Sequence, residues 1–136
     1  MQYWIATAAA AAAFAFAAPA MAQDRSERAD ADFAELIENR EVAGEAQSCI
    51  RTFNDNRLRV VENVGLAYRR GDTLWVARAR DPRQLGPWDV PVIERFGSQL
   101  CRHDIIRTID RGSGMFSGVL WLEDWVPYRE IENADS

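Results

Sequence analysis

Read as apolar and polar positions, the chain divides into an apolar leader, one segment of helical period, and a series of short segments of period two. The leader runs from Tyr3 to Ala18, breaks at Pro19, and is followed by Ala20, Met21 and Ala22 in the small-x-small pattern of a secretory cleavage site. This predicts a signal peptide over residues 1–22, cut before Gln23. Its first residues lack Lys and Arg, unlike the usual leader, so a retained membrane anchor is the competing reading. The run is shorter than the ~20 apolar residues a spanning helix needs, and no stable membrane insertion is expected after cleavage.

The helical segment is Asp24 to Ala43, within an expected helical unit over residues 23–45. Ala29, Phe33, Leu36, Ile37 and Val42 fall near one stripe, with Arg28, Asp32, Glu35, Glu38 and Glu41 on the remaining arc. Asp24 or Ser26 is the expected cap and Gly44 the expected stop. Such a stripe serves either packing against the chain's own sheet or docking to a partner; its acidic polar face argues against anionic lipid.

From Gln47 the period becomes two. Cys49 to Phe53 suits a strand, with Asn54, Asp55 and Asn56 as a turn. Arg57 to Glu62 alternates, and Val64 to Arg69 with Thr73 to Arg78 brackets Arg70-Gly71-Asp72 as a hairpin. Residues 81–89 hold Pro82, Gly86, Pro87 and Trp88 and read as a loop. Pro91 to Phe96 suits an edge strand and Asp104 to Asp110 a further strand. In Met115 to Val126, strict alternation places Trp121 and Trp125 on one face and Leu120, Leu122, Asp124 and Val126 on the other, with Pro127 as the stop. Residues 130–136 read as a frayed tail. The expected fold is mainly β: a small antiparallel sheet or barrel of six to seven strands over residues 46–129, with one N-terminal amphipathic α-helix.

Composition narrows the chemistry. All 16 basic residues are arginine, which removes lysine Schiff bases and the lysine of a phosphate-binding loop. They are interspersed among 21 acidic residues, giving a net charge of −5 and no basic stripe, so nucleic acid is not an expected partner. No nucleophile elbow, phosphate loop, metal-binding helix or dinucleotide fingerprint occurs, and no cofactor is expected. Two cysteines in an exported chain favour a Cys49–Cys101 disulfide over two buried thiols. A zinc site of Cys49, Cys101 and His103 lacks a fourth ligand of the usual kind. His103 is the sole histidine, but in a strand Asp104 points to the opposite face and cannot orient it.

Three short motifs, Cys49-Ile50, Leu100-Cys101-x-x-Asp104-x-Ile106 and Leu122-x-x-Trp125-x-Pro127, resemble a family of small exported proteobacterial proteins of unassigned function, over roughly residues 46–128. The resemblance implies export and this cysteine pair, and supplies no activity or catalytic residue. Members often carry a second cysteine pair, in the middle loop and last strand; here both are absent. Three functions then stand open. The first is a non-catalytic periplasmic interaction module with a cell-envelope protein partner. The second is a glycan or small-molecule binder using Trp88, Trp121 and Trp125. The third is a hydrolase using His103 and nearby carboxylates.

Overall fold

A computed structural model describes residues 20–53, 57–82, 85–94 and 97–132. Most of the expected signal peptide, the Asn54–Asp55–Asn56 turn, Phe96 and the last four residues lie outside them. The elements are α1 (Ala20–Leu36), β1 (Arg40–Val42), β2 (Cys49–Arg51), β3 (Leu58–Val61), β4 (Gly65–Arg70), β5 (Thr73–Ala79), β6 (Asp89–Ile93), β7 (Gln99–Cys101), β8 (Ile106–Asp110), β9 (Phe116–Leu120) and β10 (Leu122–Glu130). The fold is mainly β, with one helix and antiparallel sheets that stay open rather than closing into a barrel. Among the described residues there are ten strands, beyond the six or seven expected, because β1, β2 and β7 are three-residue pieces and residues 115–126 divide between β9 and β10.

The central sheet has the order β1-β10-β5-β4-β3, with a two-stranded sheet β2-β7 and a three-stranded sheet β6-β8-β9 beside it. Its inner strands β10, β5 and β4 bury both faces over most of their length, which is why β4 opens on the apolar run Gly65-Leu66-Ala67-Tyr68. On one side Leu66, Tyr68, Ala77, Leu122 and Trp125 meet Ile50, Leu100, Ile106 and Leu120 from the smaller sheets. On the other, Val64, Ala67, Leu74, Val76 and Tyr128 meet Phe33, Leu36 and Ile37 of the helical segment. The layers are therefore helix, central sheet, small sheets. The hairpin at Gly71-Asp72 forms as expected, with Arg70 paired to Thr73 and Gly71 at φ 59°. Gly65 is required by close approach, since a Cβ there would collide with the Ala77 carbonyl.

The helical stripe packs at home. Phe33 meets Tyr128 edge-on at 6.1 Å, and Arg78 lies over the Phe33 ring at 4.5 Å while pairing with Asp30 at 2.7 Å. Asn63 donates to Asp32 at 2.7 Å, a second tie between helix and sheet. Burial raises the Tyr128 phenol above its ordinary pKa, partly offset by Arg78. The helix ends earlier than expected: Leu36 is its last residue and Asn39 turns the chain at φ 58°, so Gly44 is not the stop. Val42 accordingly lies in β1, exposed, and off the helical stripe.

Pro127 does not stop the last strand. β10 continues to Glu130, with Pro127 opposite Trp75. The Pro127 carbonyl accepts from Ala43 N at 2.9 Å, and in an antiparallel strand a residue's N and O face the same neighbour. Its missing donor thus faces the place where β1 has already ended, the edge situation in which proline is tolerated. The expected frayed tail also begins too early, because Glu130 pairs with Arg40 and Ile131 N donates to Asn39 O.

Candidate functional site

The cysteines form a disulfide. Cys49 and Cys101 are direct register partners in β2-β7, with Ile50 opposite Leu100 beside them in the core. The residues after Cys101 form a turn whose purpose is visible in its spacing: Asp104 Oδ2 accepts from Cys101 N at 2.7 Å, and Asp104 N donates to Cys101 O at 3.0 Å. Cys-x-x-Asp is thus a turn lock. His103 sits exposed on it, accepting from Arg102 Nε at 3.3 Å. Arg102 also lies 2.9 Å from Asp124 Oδ1, so a guanidinium stands between the imidazole and that carboxylate. Asp110 Oδ1 caps its own turn through Ser113 N and Oγ, and those hydrogen bonds lower its pKa, the wrong direction for a general acid at neutral pH. His103, Asp104, Asp110 and Asp124 are therefore not gathered into an acid–base set. Among the described residues, no three His, Cys, Asp or Glu side chains group as metal ligands.

The three tryptophans separate. Trp88 and Trp121 are 65% and 55% exposed, whereas Trp125 is fully buried among Leu66, Leu122 and Leu100 and is not available to a ligand. The reason is a β-bulge: Leu122 pairs with Ala79 and Trp125 with Ala77, three steps on β10 against two on β5. One extra residue inverts the alternation beyond it. Trp125 thereby joins the Leu122 face, contrary to the grouping with Trp121. Its indole N–H has no acceptor among the described residues.

Trp88 and Trp121 belong instead to the outer face of β6-β8-β9. Register pairs set Val92, Arg107 and Val119 in one row and Val90, Ile109 and Phe116 in the next, while Ile93, Ile106 and Leu120 alternate inward to the core. Trp88 lies one residue before β6 on the parity of Val90, and its carbonyl accepts from Arg111 N at 2.9 Å. Ile105 and Trp121 flank the opposite end. Phe116 and Ile105 are exposed like the two tryptophans. At the centre Arg107 pairs with Glu94 at 3.2 Å, both side chains reaching solvent. Together these side chains make the exposed outer face of the small sheet largely apolar.

The patch has a firm foundation and an open border. At one end Asp89 Oδ2 accepts from Gly86 N at 2.7 Å, closing the turn that carries Trp88, and Asp89 Oδ1 accepts from Ser117 Oγ at 2.9 Å. Ser117 is the extra residue of the irregularity between β8 and β9, so the side chain that interrupts the pairing also ties β9 to β6. At the other end Arg80, Asp81, Val119 and Trp121 line an open recess of about 570 Å³. Trp88 and Trp121, expected as ligand-binding residues, are exposed on this face together with Arg107 and with Val92, Phe116 and Val119, which the local pattern alone does not single out. Their signal is apolar side chains in alternate positions of three successive strands.

No family model matches the chain, and neither a curated protein nor a solved structure matches it. No helix among the described residues is long and apolar enough to cross a membrane.

Proposed function

We propose that the chain is an exported, non-catalytic interaction module that docks a protein partner of the cell envelope on the outer face of β6-β8-β9. One observation carries this reading: an open sheet face where a monomer would carry polar side chains instead presents Trp88, Val92, Ile105, Phe116, Val119 and Trp121 around a central Arg107. Aromatic residues, Met and Arg are the types enriched where proteins meet. Arg107, paired with Glu94 yet half exposed, keeps guanidinium donors free for a carboxylate or carbonyl of a partner's surface. A second copy fits less well, because a two-fold axis through the patch centre would bring two Arg107 side chains together. Export is supported by the leader, the disulfide and the resemblance to small exported proteins.

A photo-crosslinking residue at Val119 or Val92, in protein exported to a bacterial periplasm, tests the reading. The expected result is one discrete protein adduct from these positions, none from Arg28 on the helix, and loss of the adduct in a folded Arg107→Glu variant. An adduct of twice the chain's own mass, or adducts insensitive to Arg107→Glu, would overturn it. The second reading, a glycan or small molecule stacked on Trp121, draws support from the recess with Arg80 and Asp81. Saturable quenching of tryptophan emission by peptidoglycan fragments, abolished by Trp121→Ala, would favour that reading over docking.

A further inference from the structure

On the helix side of the central sheet, far from the apolar patch, Leu36, Arg40, Arg57, Arg59, Arg69 and Leu74 line a groove of about 530 Å³. Four of the 16 arginines converge here in a chain whose net charge is −5. Arg59 is opposite Ala67, on the face that meets the helix, and Arg57 shares its parity. Continuing the Leu58–Tyr68 register by one step sets Arg57 against Arg69, like charges in cross-strand position. Such a pair is destabilising. Arg40 has Glu130 at 3.5 Å, but no ion pair among the described residues involves Arg57, Arg59 or Arg69. Asp32, Glu35 and Glu62 border the adjoining recess beyond Arg59, so an anion is favoured on the side of Arg57, Arg69 and Arg40.

We propose that this groove binds the phosphoryl group of an organic phosphate. Guanidinium forks match phosphate oxygens two at a time, and a dianion answers several cations better than a single carboxylate does. The volume exceeds what inorganic phosphate fills and lies within the small-molecule range, while Leu36 and Leu74 give the ligand's body an apolar floor. The source is either a soluble phosphate ester or a lipid phosphate headgroup. The proposal stands independently of the docking face.

The test uses oxidised, exported full-length protein with two probes, inorganic pyrophosphate followed by NMR of arginine Nε–H groups, and flotation with phosphatidic acid vesicles against phosphatidylcholine vesicles. Saturable shifts confined to the groove and weakened by salt are expected. Arg59→Gln and Arg69→Gln should each weaken binding roughly tenfold or more, and Arg28→Gln should leave it unchanged. Because each change removes a like-charge neighbour, the melting temperature should hold or rise. Pyrophosphate binding without flotation identifies a soluble ligand, and selective flotation on phosphatidic acid identifies a lipid headgroup; either supports the proposal. No saturable response to either probe overturns it, as does binding that survives the Arg59→Gln/Arg69→Gln double variant. Lowered melting temperature with unchanged binding would give the arginines a purely structural role and also overturn it.

Discussion

Removing the Cys49–Cys101 link should cost this fold a large part of its stability, and the size follows from where the link sits. The two cysteines are 52 positions apart and join β2 to β7 as direct partners. For a loop of that length the chain-entropy relation gives about 14 cal/mol/K, or about 4 kcal/mol at 25 °C, withdrawn from the unfolded state. Against a typical stability of about 5–15 kcal/mol, that is a substantial fraction. At roughly 4 °C per kcal/mol for a domain of this length, the melting temperature should fall by about 15 °C. β2 and β7 hold three residues each and depend on Ile50 and Leu100 in the core, so they are the first strands expected to fray. The assay is urea unfolding of the disulfide-bonded protein with and without reductant, beside a Cys49→Ala/Cys101→Ala variant that lacks thiols altogether. An intact link also makes the unfolded chain more compact, so the oxidised protein should show the smaller dependence on urea. Unfolding free energies equal within about 1 kcal/mol, with equal urea dependence, would refute the loop-entropy reasoning. A loss confined to the alanine variant, absent on reduction, would move the effect to packing around the sulfurs.

The remaining predictions concern the buried tryptophan and one capped carboxylate. Trp125→Ala should cost about 3–5 kcal/mol, Trp121→Ala less than about 0.5 kcal/mol, and Trp125→Phe clearly less than Trp125→Ala because it also removes a buried donor without an acceptor; urea midpoints check the order, and a Trp121 effect equal to that of Trp125 would contradict the bulge. Ser113 holds the Asp110 pKa below its reference of 3.8, so the folded state favours the carboxylate, and that stabilisation is present above the reference value and lost as pH falls through the lower folded value. Asp110→Asn should therefore be less stable than the parent at neutral pH and converge on it as pH drops below about 4; melting curves from pH 7 to 2 that stay parallel would exclude this role for the cap.

The leading features of the fold were legible where local pattern and tertiary packing agree. Ala29, Phe33 and Leu36 announce a helical stripe, and Gly71-Asp72 announces a hairpin, because each signal is contained in a short contiguous segment and needs no information from elsewhere in the chain. The end of the helix was misread since Asn39, which takes a positive φ readily, competed with the more familiar signal of Gly44. Pro127 was misread because its tolerance depends on β1 having ended, a fact of strand order that local pattern does not contain. The site depended on one further relation. Leu122 and Trp125, both large and apolar, are three residues apart, an odd spacing that cannot place two side chains on one face of a regular strand. Either one is exposed or the strand carries an extra residue, and the central sheet resolves the choice: Trp125 has Leu66, Ala77 and Leu100 to pack against, and the bulge sets it there. The same inversion leaves Trp121 on the parity of Val119, outside. The bulge thus separates the tryptophan that holds the layers together from the tryptophan exposed on the outer sheet, and the two can be altered independently because they lie on opposite sides of it.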